Sequence, residues 1–179
     1  VRNSETAQSA AAAAPEADAA VSAADQTALA VQTADCQAVF LYDPVGQTVA
    51  GIHSGWRGSI SNVIGACIRT MQQQFNTDPA RLIAGVGPSL GPCCAEFIHY
   101  KKEIPRTFWQ YRDSSNRFDF WQISKDQMQA AGVPEQNIEL SGICTRCNSH
   151  LFFSYRKNRT ARRFAAVIGL QNPGLKQGK

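Results

Sequence analysis

Gln37-Ala-Val-Phe-Leu-Tyr-Asp-Pro-Val-Gly-Gln-Thr-Val-Ala-Gly-Ile52 decides the fold class. Gln37 to Tyr42 is a short β-prone run that ends in the turn signal Asp43-Pro44 with Gly46. Thr48-Val-Ala-Gly-Ile52 then reads as the returning strand of a hairpin. A hairpin is antiparallel, so the sheet is not wound purely from βαβ units, although strands and helices alternate later in the chain.

Upstream, Leu29-Ala-Val-Gln-Thr33 is another short strand. Downstream, Gly55-Trp-Arg-Gly58 reads as a loop, with Ser59 or Ser61 available to cap the helix behind it. That helix is the clearest element, because Ile60, Ile64, Cys67, Ile68, Met71 and Phe75 recur at three- and four-residue steps. Asn76 to Pro79 stops it. Arg81 to Val86 reads as a buried strand, and Gly87-Pro-Ser-Leu-Gly-Pro92 as a stiff loop. Cys94 to Tyr111 is expected to be helical in two pieces split at Pro105, Phe118 to Gly132 helical, and Ile138–Ser141 and Arg163–Leu170 strands. The economical architecture is a single α/β (α+β) domain over 16–170, a mixed sheet flanked by helices. The Ala-rich segment 1–15 is expected to be mobile and the tail 171–179 to fray.

With 179 residues, 44% of them hydrophobic and only 18% charged, the chain has material for one real core and is not a disordered or polybasic chain. No apolar run is long enough for a spanning helix, so no membrane partner is expected. The formal net charge of +4 is spread thinly except at Arg156 to Arg163 and the last residues, which suits a small anion better than nucleic acid. No basic n-region with an apolar h-region is visible in Val1 to Asp25. The six cysteines are too dilute for a disulfide scaffold, so reduced thiols in the cytoplasm are the expectation.

Three segments carry unusual chemistry for loops: Thr33-Ala-Asp-Cys36, His53-Ser-Gly-Trp-Arg-Gly58 and Cys144-Thr-Arg-Cys147. A hairpin can bring Cys36 beside His53. A thiolate and a neutral imidazole both suit Zn²⁺, and without metal the same pair can act as nucleophile and base. Cys36 also reads as a small buried residue and His53 as a core histidine bonded to backbone. Asp35 is placed to orient the imidazole or take a proton. Arg57 supplies a forked donor for phosphate or carboxylate, or is simply solvated beside a tight turn. The pair Cys144/Cys147 can form half of a structural zinc site with Cys93 and Cys94, whereas a thioredoxin-like role fits it poorly. His99 and His150 have no nameable partner.

T-A-D-C (33–36), H-S-G-W-R-G (53–58), G-P-S-L-G-P-C-C (87–94) and C-T-R-C-N-S-H-L-F-F-S-Y-R (144–156) occur in that order. Together they closely resemble the bacterial laccase-domain family, formerly called multicopper polyphenol oxidases and also known as YfiH-type proteins. The likeness runs from about Glu16 to Leu170. It implies a single domain of mixed β-sheet layers with flanking helices, a YfiH-like cysteine-hydrolase-type fold. It further implies a zinc-dependent purine nucleoside enzyme, monomeric or homodimeric. Such an enzyme carries out phosphorolysis of adenosine, inosine, guanosine and methylthioadenosine, and deamination of adenosine. Some members are linked to editing of peptidoglycan precursors.

The family zinc is held by the cysteine of T-A-D-C, the histidine before G-W-R-G and a histidine in an upstream Q-V-H motif. The first two carry over to Cys36 and His53, with Asp35 beside them as a catalytic candidate. Q-V-H does not occur in this sequence, and the family places it shortly before the segment where the chain starts. Ser54 stands where the family usually has alanine. Arg57 is the first candidate for phosphate and Arg156 the second. The competing readings are a metal-free Cys36/His53 hydrolase and a non-catalytic binding protein. Copper-dependent phenol oxidation is disfavoured, because copper centres need many histidines and this chain has 3.

Overall fold

The 37–54 hairpin forms as read and organises the rest of the molecule. In the computed structural model, which describes residues 17–159 and 161–171, β3 (Gln37–Asp43) pairs antiparallel with β4 (Thr48–Ser54). Asp43 closes the turn: the backbone N–H groups of Val45 and Gly46 both donate to its Oδ1 at 3.0 Å. β1 (Ala19–Ser22) adds antiparallel to β4, and β5 (Ile83–Val86) adds antiparallel to β3. β6 (Ile138–Leu140) adds to β5 as the parallel member of the sheet, whose order is β1-β4-β3-β5-β6. The mixed α+β architecture expected from the sequence is therefore present.

Alternation along the hairpin gives its two faces different neighbours. Val39, Leu41, Ala50 and Ile52 are buried against Ile64, Cys67, Ile68 and Met71 of α2 (Val63–Phe75). On the other face lies a two-stranded antiparallel ribbon of β2 (Ala28–Thr33) and β7 (Phe164–Gly169). Gly51 permits that approach, since a Cβ there would come 3.2 Å from Val31 Cγ2 and 3.4 Å from Leu29 Cβ. A second, largely aromatic core of Phe97, Tyr100, Ile104, Phe118, Phe120 and Ile123 stands apart from the first.

The structure departs from the sequence expectations in identifiable places. Gly55–Gly58 is not a loop, because Trp56–Ile60 forms a short helix α1 with Gly55 as its N-cap. The long apolar stripe breaks at Asn62, which adopts a left-handed conformation (φ 55°) and caps α2 by accepting from the Gly65 N–H at 3.0 Å. Neither Ser59 nor Ser61 is that cap. The segment 94–111 keeps only α3 (Tyr100–Glu103) and a 3₁₀ turn, Arg106–Tyr111, on either side of Pro105. α4 (Phe120–Ala130) starts at Asp119, whose side chain accepts from the Gln122 N–H, and α5 (Tyr155–Asn158) is one turn. The expected mobile segment 1–15 and nearly all of the tail 171–179 lie outside the described residues. Among the described residues no helix is long and apolar enough to cross a membrane.

Candidate active site

The β3–β4 register sets the site. Gln37 pairs with Ser54 as the last rung of the ladder, so Cys36 and Gly55 come next at its open end. A Cβ on Gly55 would sit 3.1 Å from Cys36 Sγ and 3.9 Å from His53 Cε1, so a glycine is needed where sulfur and imidazole crowd together. Cys36 and His53 meet here, close enough for the sulfur to act on the imidazole. This contact with Cys36 raises the His53 pKa to about 9, against the opposing effect of burial and with help from Asp18.

The carboxylate that meets His53 is Asp18, just before β1. Its Oδ1 lies 3.1 Å from His53 Nδ1, and its backbone carbonyl accepts from the His53 N–H at 2.7 Å. A neutral ring donating from Nδ1 carries its lone pair on Nε2. A carboxylate behind the histidine is also the usual support of a metal-binding imidazole. Thiol plus supported imidazole is a nitrogen–sulfur donor set that fits zinc, and these two side chains would supply two of its ligands.

Asp35 does other work. Its Oδ1 accepts from Thr145 Oγ1 at 2.7 Å, and its Oδ2 accepts from the backbone N–H of Arg156 at 2.6 Å. Its own carbonyl accepts from the Leu90 N–H at 2.8 Å. One residue thus ties the Cys36 turn to two distant loops, from a positive-φ conformation (φ 89°) that aspartate tolerates better than most residues.

These elements enclose a cavity of about 410 Å³, within the size range of small-ligand sites. Cys36 and His53 line it together with Trp56, Phe97 and Phe120, and the cations Arg156 and Arg163 also line it. Phe97 meets Trp56 edge-on at 5.9 Å between centroids and Phe120 at 5.5 Å. The Arg156 guanidinium lies 4.9 Å from the Phe97 centroid and donates to the Glu96 carbonyl at 2.6 Å. Gln37, buried at the cavity wall, donates from Nε2 to the Phe120 carbonyl at 2.9 Å and accepts from Ser124 Oγ.

Of the residues chosen from sequence, Cys36, His53, Asp35 and Arg156 line this cavity, and Arg57 does not. Arg57 is exposed, with its guanidinium 4.1 Å from the Trp56 ring centroid. Sequence reasoning missed Asp18, Phe97 and Phe120, and took Arg163 only as the end of a basic stretch suited to a small anion. Asp18 had one legible signal, an acid set directly before the apolar run Ala19-Ala20-Val21. The aromatic residues had none, since only packing brings them to the hairpin end. The C-x-x-C cysteines, Cys144 and Cys147, do converge with Cys93 and Cys94, as a second group of possible metal ligands. Burial pushes the Cys144 thiol up, but backbone N–H groups of Cys147 and Gly91 aimed at its sulfur outweigh this and bring it down to about 7.

Residues 1–171 match the family described as "Multi-copper polyphenol oxidoreductase laccase". The Escherichia coli protein named purine nucleoside phosphorylase YfiH is 31% identical over 162 residues, 86% of this chain and 64% of that protein. Purine nucleoside phosphorylase YlmD of Geobacillus stearothermophilus is 30% identical over 151 residues, 79% of this chain and 55% of the relative. The crystal structure of the Geobacillus protein superposes with a TM-score of 0.79 at 29% identity, covering 88% of this chain and 62% of that one. A Bacillus licheniformis YfiH structure superposes at 0.78 with 28% identity, covering 86% and 61%. The chain thus spans between 55% and 64% of the length of these relatives.

Proposed function

We propose, from the premise that this chain belongs to the multi-copper polyphenol oxidoreductase laccase family, that its cavity binds purine nucleosides and phosphate and carries out phosphorolysis. One observation carries the reading: Cys36 and His53 together face a cavity that aromatic rings and arginines also line. Rings suit a flat base and a forked cation suits phosphate. The name purine nucleoside phosphorylase, borne by the Escherichia coli and Geobacillus relatives, supports the same reading.

In this scheme the purine lies against Trp56, Phe97 and Phe120. Arg156 and Arg163 hold phosphate, and Arg57 acts from outside by stacking on Trp56. A phosphate oxygen forms a bond to ribose C1′ while the C1′–N9 bond breaks. The bonding pair leaves with the base, which takes a proton and departs, and ribose 1-phosphate remains. Cys36 and His53 would hold Zn²⁺, which when bound supplies a Lewis acid and a means of activating water at neutral pH. Asp18 fixes the His53 ring and Asp35 positions the loop that carries Arg156. Inosine, guanosine, adenosine and methylthioadenosine all join a purine ring to a ribose ring, the two parts this scheme sets against these walls. Deamination of adenosine in the same cavity exchanges ammonia for water at C6. This reading goes with a cytoplasmic protein, since nucleosides and phosphate are cytoplasmic metabolites.

The direct Cys36–His53 contact also favours a second reading, a metal-free thiol hydrolase acting on a class of substrate such as a cell-wall precursor. Chromatography of inosine incubated with and without phosphate separates the two. Phosphorolysis requires phosphate for hypoxanthine release and yields ribose 1-phosphate. Equal release without phosphate, or none with it, would overturn the proposal.

A further inference from the structure

Four cysteines that the cavity does not use lie together on the far side of its loop wall. Cys93 and Cys94 sit in the turn after Gly87–Pro92, and Cys144 and Cys147 follow β6. The Sγ atoms are separated by 3.7 Å (Cys93–Cys94), 3.7 Å (Cys93–Cys147) and 3.6 Å (Cys94–Cys147), and all four lie within 4.8 Å of one another. A tetrahedron with zinc–sulfur bonds of ~2.3 Å has edges of about 3.8 Å. The three separations among Cys93, Cys94 and Cys147 match that figure, and Cys144 Sγ lies within 4.8 Å of the others. Iron–sulfur clusters attach their thiolates to different irons and hold them wider apart than one shared ion does.

We infer that Cys93, Cys94, Cys144 and Cys147 form a tetrathiolate site for one zinc ion, separate from the Cys36–His53 cavity and structural in role.

The surrounding backbone is arranged for it. Gly91 is required at its place, because a Cβ there would come 2.8 Å from Trp121 Cη2 and 3.1 Å from Cys144 Cβ. The two cysteine segments already run side by side, with Ser89 N–H donating to the Ile143 carbonyl at 3.1 Å and Thr145 N–H to the Ser89 carbonyl at 3.0 Å. Cys93 and Cys147 are exposed, so an ion can reach the site from solvent.

A clasp here has a mechanical consequence. Leu90 lines the cavity, and its N–H donates to the Asp35 carbonyl, while Thr145 donates to the Asp35 carboxylate. Zinc would lock both loops onto the turn that carries Cys36. Cys93 and Cys147 are 54 positions apart in the chain, so the ion closes a long loop. This inference does not depend on the purine reading, because it concerns different side chains and a different ion.

The test uses the full chain loaded with cobalt(II) in place of zinc. Four thiolates give sulfur-to-cobalt charge transfer several times as intense as a one-sulfur site at Cys36 and His53 gives, with tetrahedral d–d bands at longer wavelength. The spectrum should persist in Cys36→Ala/His53→Ala, which should keep one equivalent of zinc by elemental analysis. It should vanish in Cys147→Ser, with loss of that equivalent and a lower thermal midpoint. Should Cys147→Ser not fold, zinc-edge X-ray absorption of Cys36→Ala/His53→Ala decides the matter, with four sulfurs at ~2.3 Å expected. A nitrogen- or oxygen-dominated shell, or no bound metal in a folded Cys36→Ala/His53→Ala protein, overturns the assignment.

Discussion

Replacing Asp35 separates positioning from proton transfer at this site. The carboxylate makes two bonds, one from Thr145 Oγ1 at 2.7 Å and one from the Arg156 N–H at 2.6 Å. Hydrogen bonds to a charged group contribute ~1.5–3 kcal/mol each. Discounting the more exposed Arg156 bond, Asp35→Ala should cost about 2–4 kcal/mol. Alanine also fits the positive φ poorly, which adds ~1 kcal/mol. Asp35→Asn tolerates that φ and can accept from the Arg156 N–H while donating to the Thr145 hydroxyl, so roughly half the loss is expected. Urea denaturation of both variants and of Thr145→Val measures these differences. Steady-state kinetics with inosine then reads the cavity. Because Asp35 holds the backbone of Arg156, both variants should raise the KM for phosphate more than they lower kcat. If Asp35→Asn kept wild-type stability and phosphate KM yet lost most of kcat, Asp35 would be the proton carrier and the tether argument would be wrong.

Other consequences of the structure are open to measurement. Gly55→Ala places a methyl 3.1 Å from Cys36 Sγ, so it should fold, lose most inosine turnover and alkylate differently at Cys36 by mass spectrometry. Burial pushes the Cys67 thiol up to about 11, so native protein at pH 8 should leave Cys67 unmodified by iodoacetamide until urea unfolds the chain, as read by mass spectrometry. Ile68, fully buried between α2 and the sheet, should cost ~2–5 kcal/mol as alanine in chemical denaturation, with m unchanged. At Asp43, burial works to raise the carboxyl pKa, but the Gly46 and Val45 N–H groups, with Thr77 and Arg81, hold it below its ordinary value. The unfolded group titrates near ~3.9, so its contribution is fully present above that value and drains away as pH falls through the lower folded pKa. Asp43→Asn should accordingly lag wild type at pH 7 and converge on it in acid, and a constant gap from pH 7 to pH 2 would contradict this.

Local patterns were enough for the elements that depend on nearest neighbours. The 37–52 hairpin follows from two β-prone runs around Asp43-Pro44, and α2 from an apolar stripe at three- and four-residue steps. Once the hairpin is granted, the meeting of Cys36 with His53 follows from register, because each sits at the same open end of the ladder. The break at Asn62 was not legible, since the stripe continues across it and only the left-handed cap interrupts the helix. The two short cysteine motifs were visible as separate pairs, but their convergence required β5 and β6 to be parallel neighbours.

What the amino-acid order determined by itself was therefore the hairpin, the main amphipathic helix and the thiol–imidazole pair, all set by short-range periodicity and turn chemistry. Tertiary structure alone decided that Asp18 rather than Asp35 supports His53, that Phe97 and Phe120 wall the cavity, and that Arg57 stacks outside it. The reason is physical. A strand's period says which face a residue takes, but which distant side chain meets that face depends on how sheets and loops pack, and no local spacing encodes that.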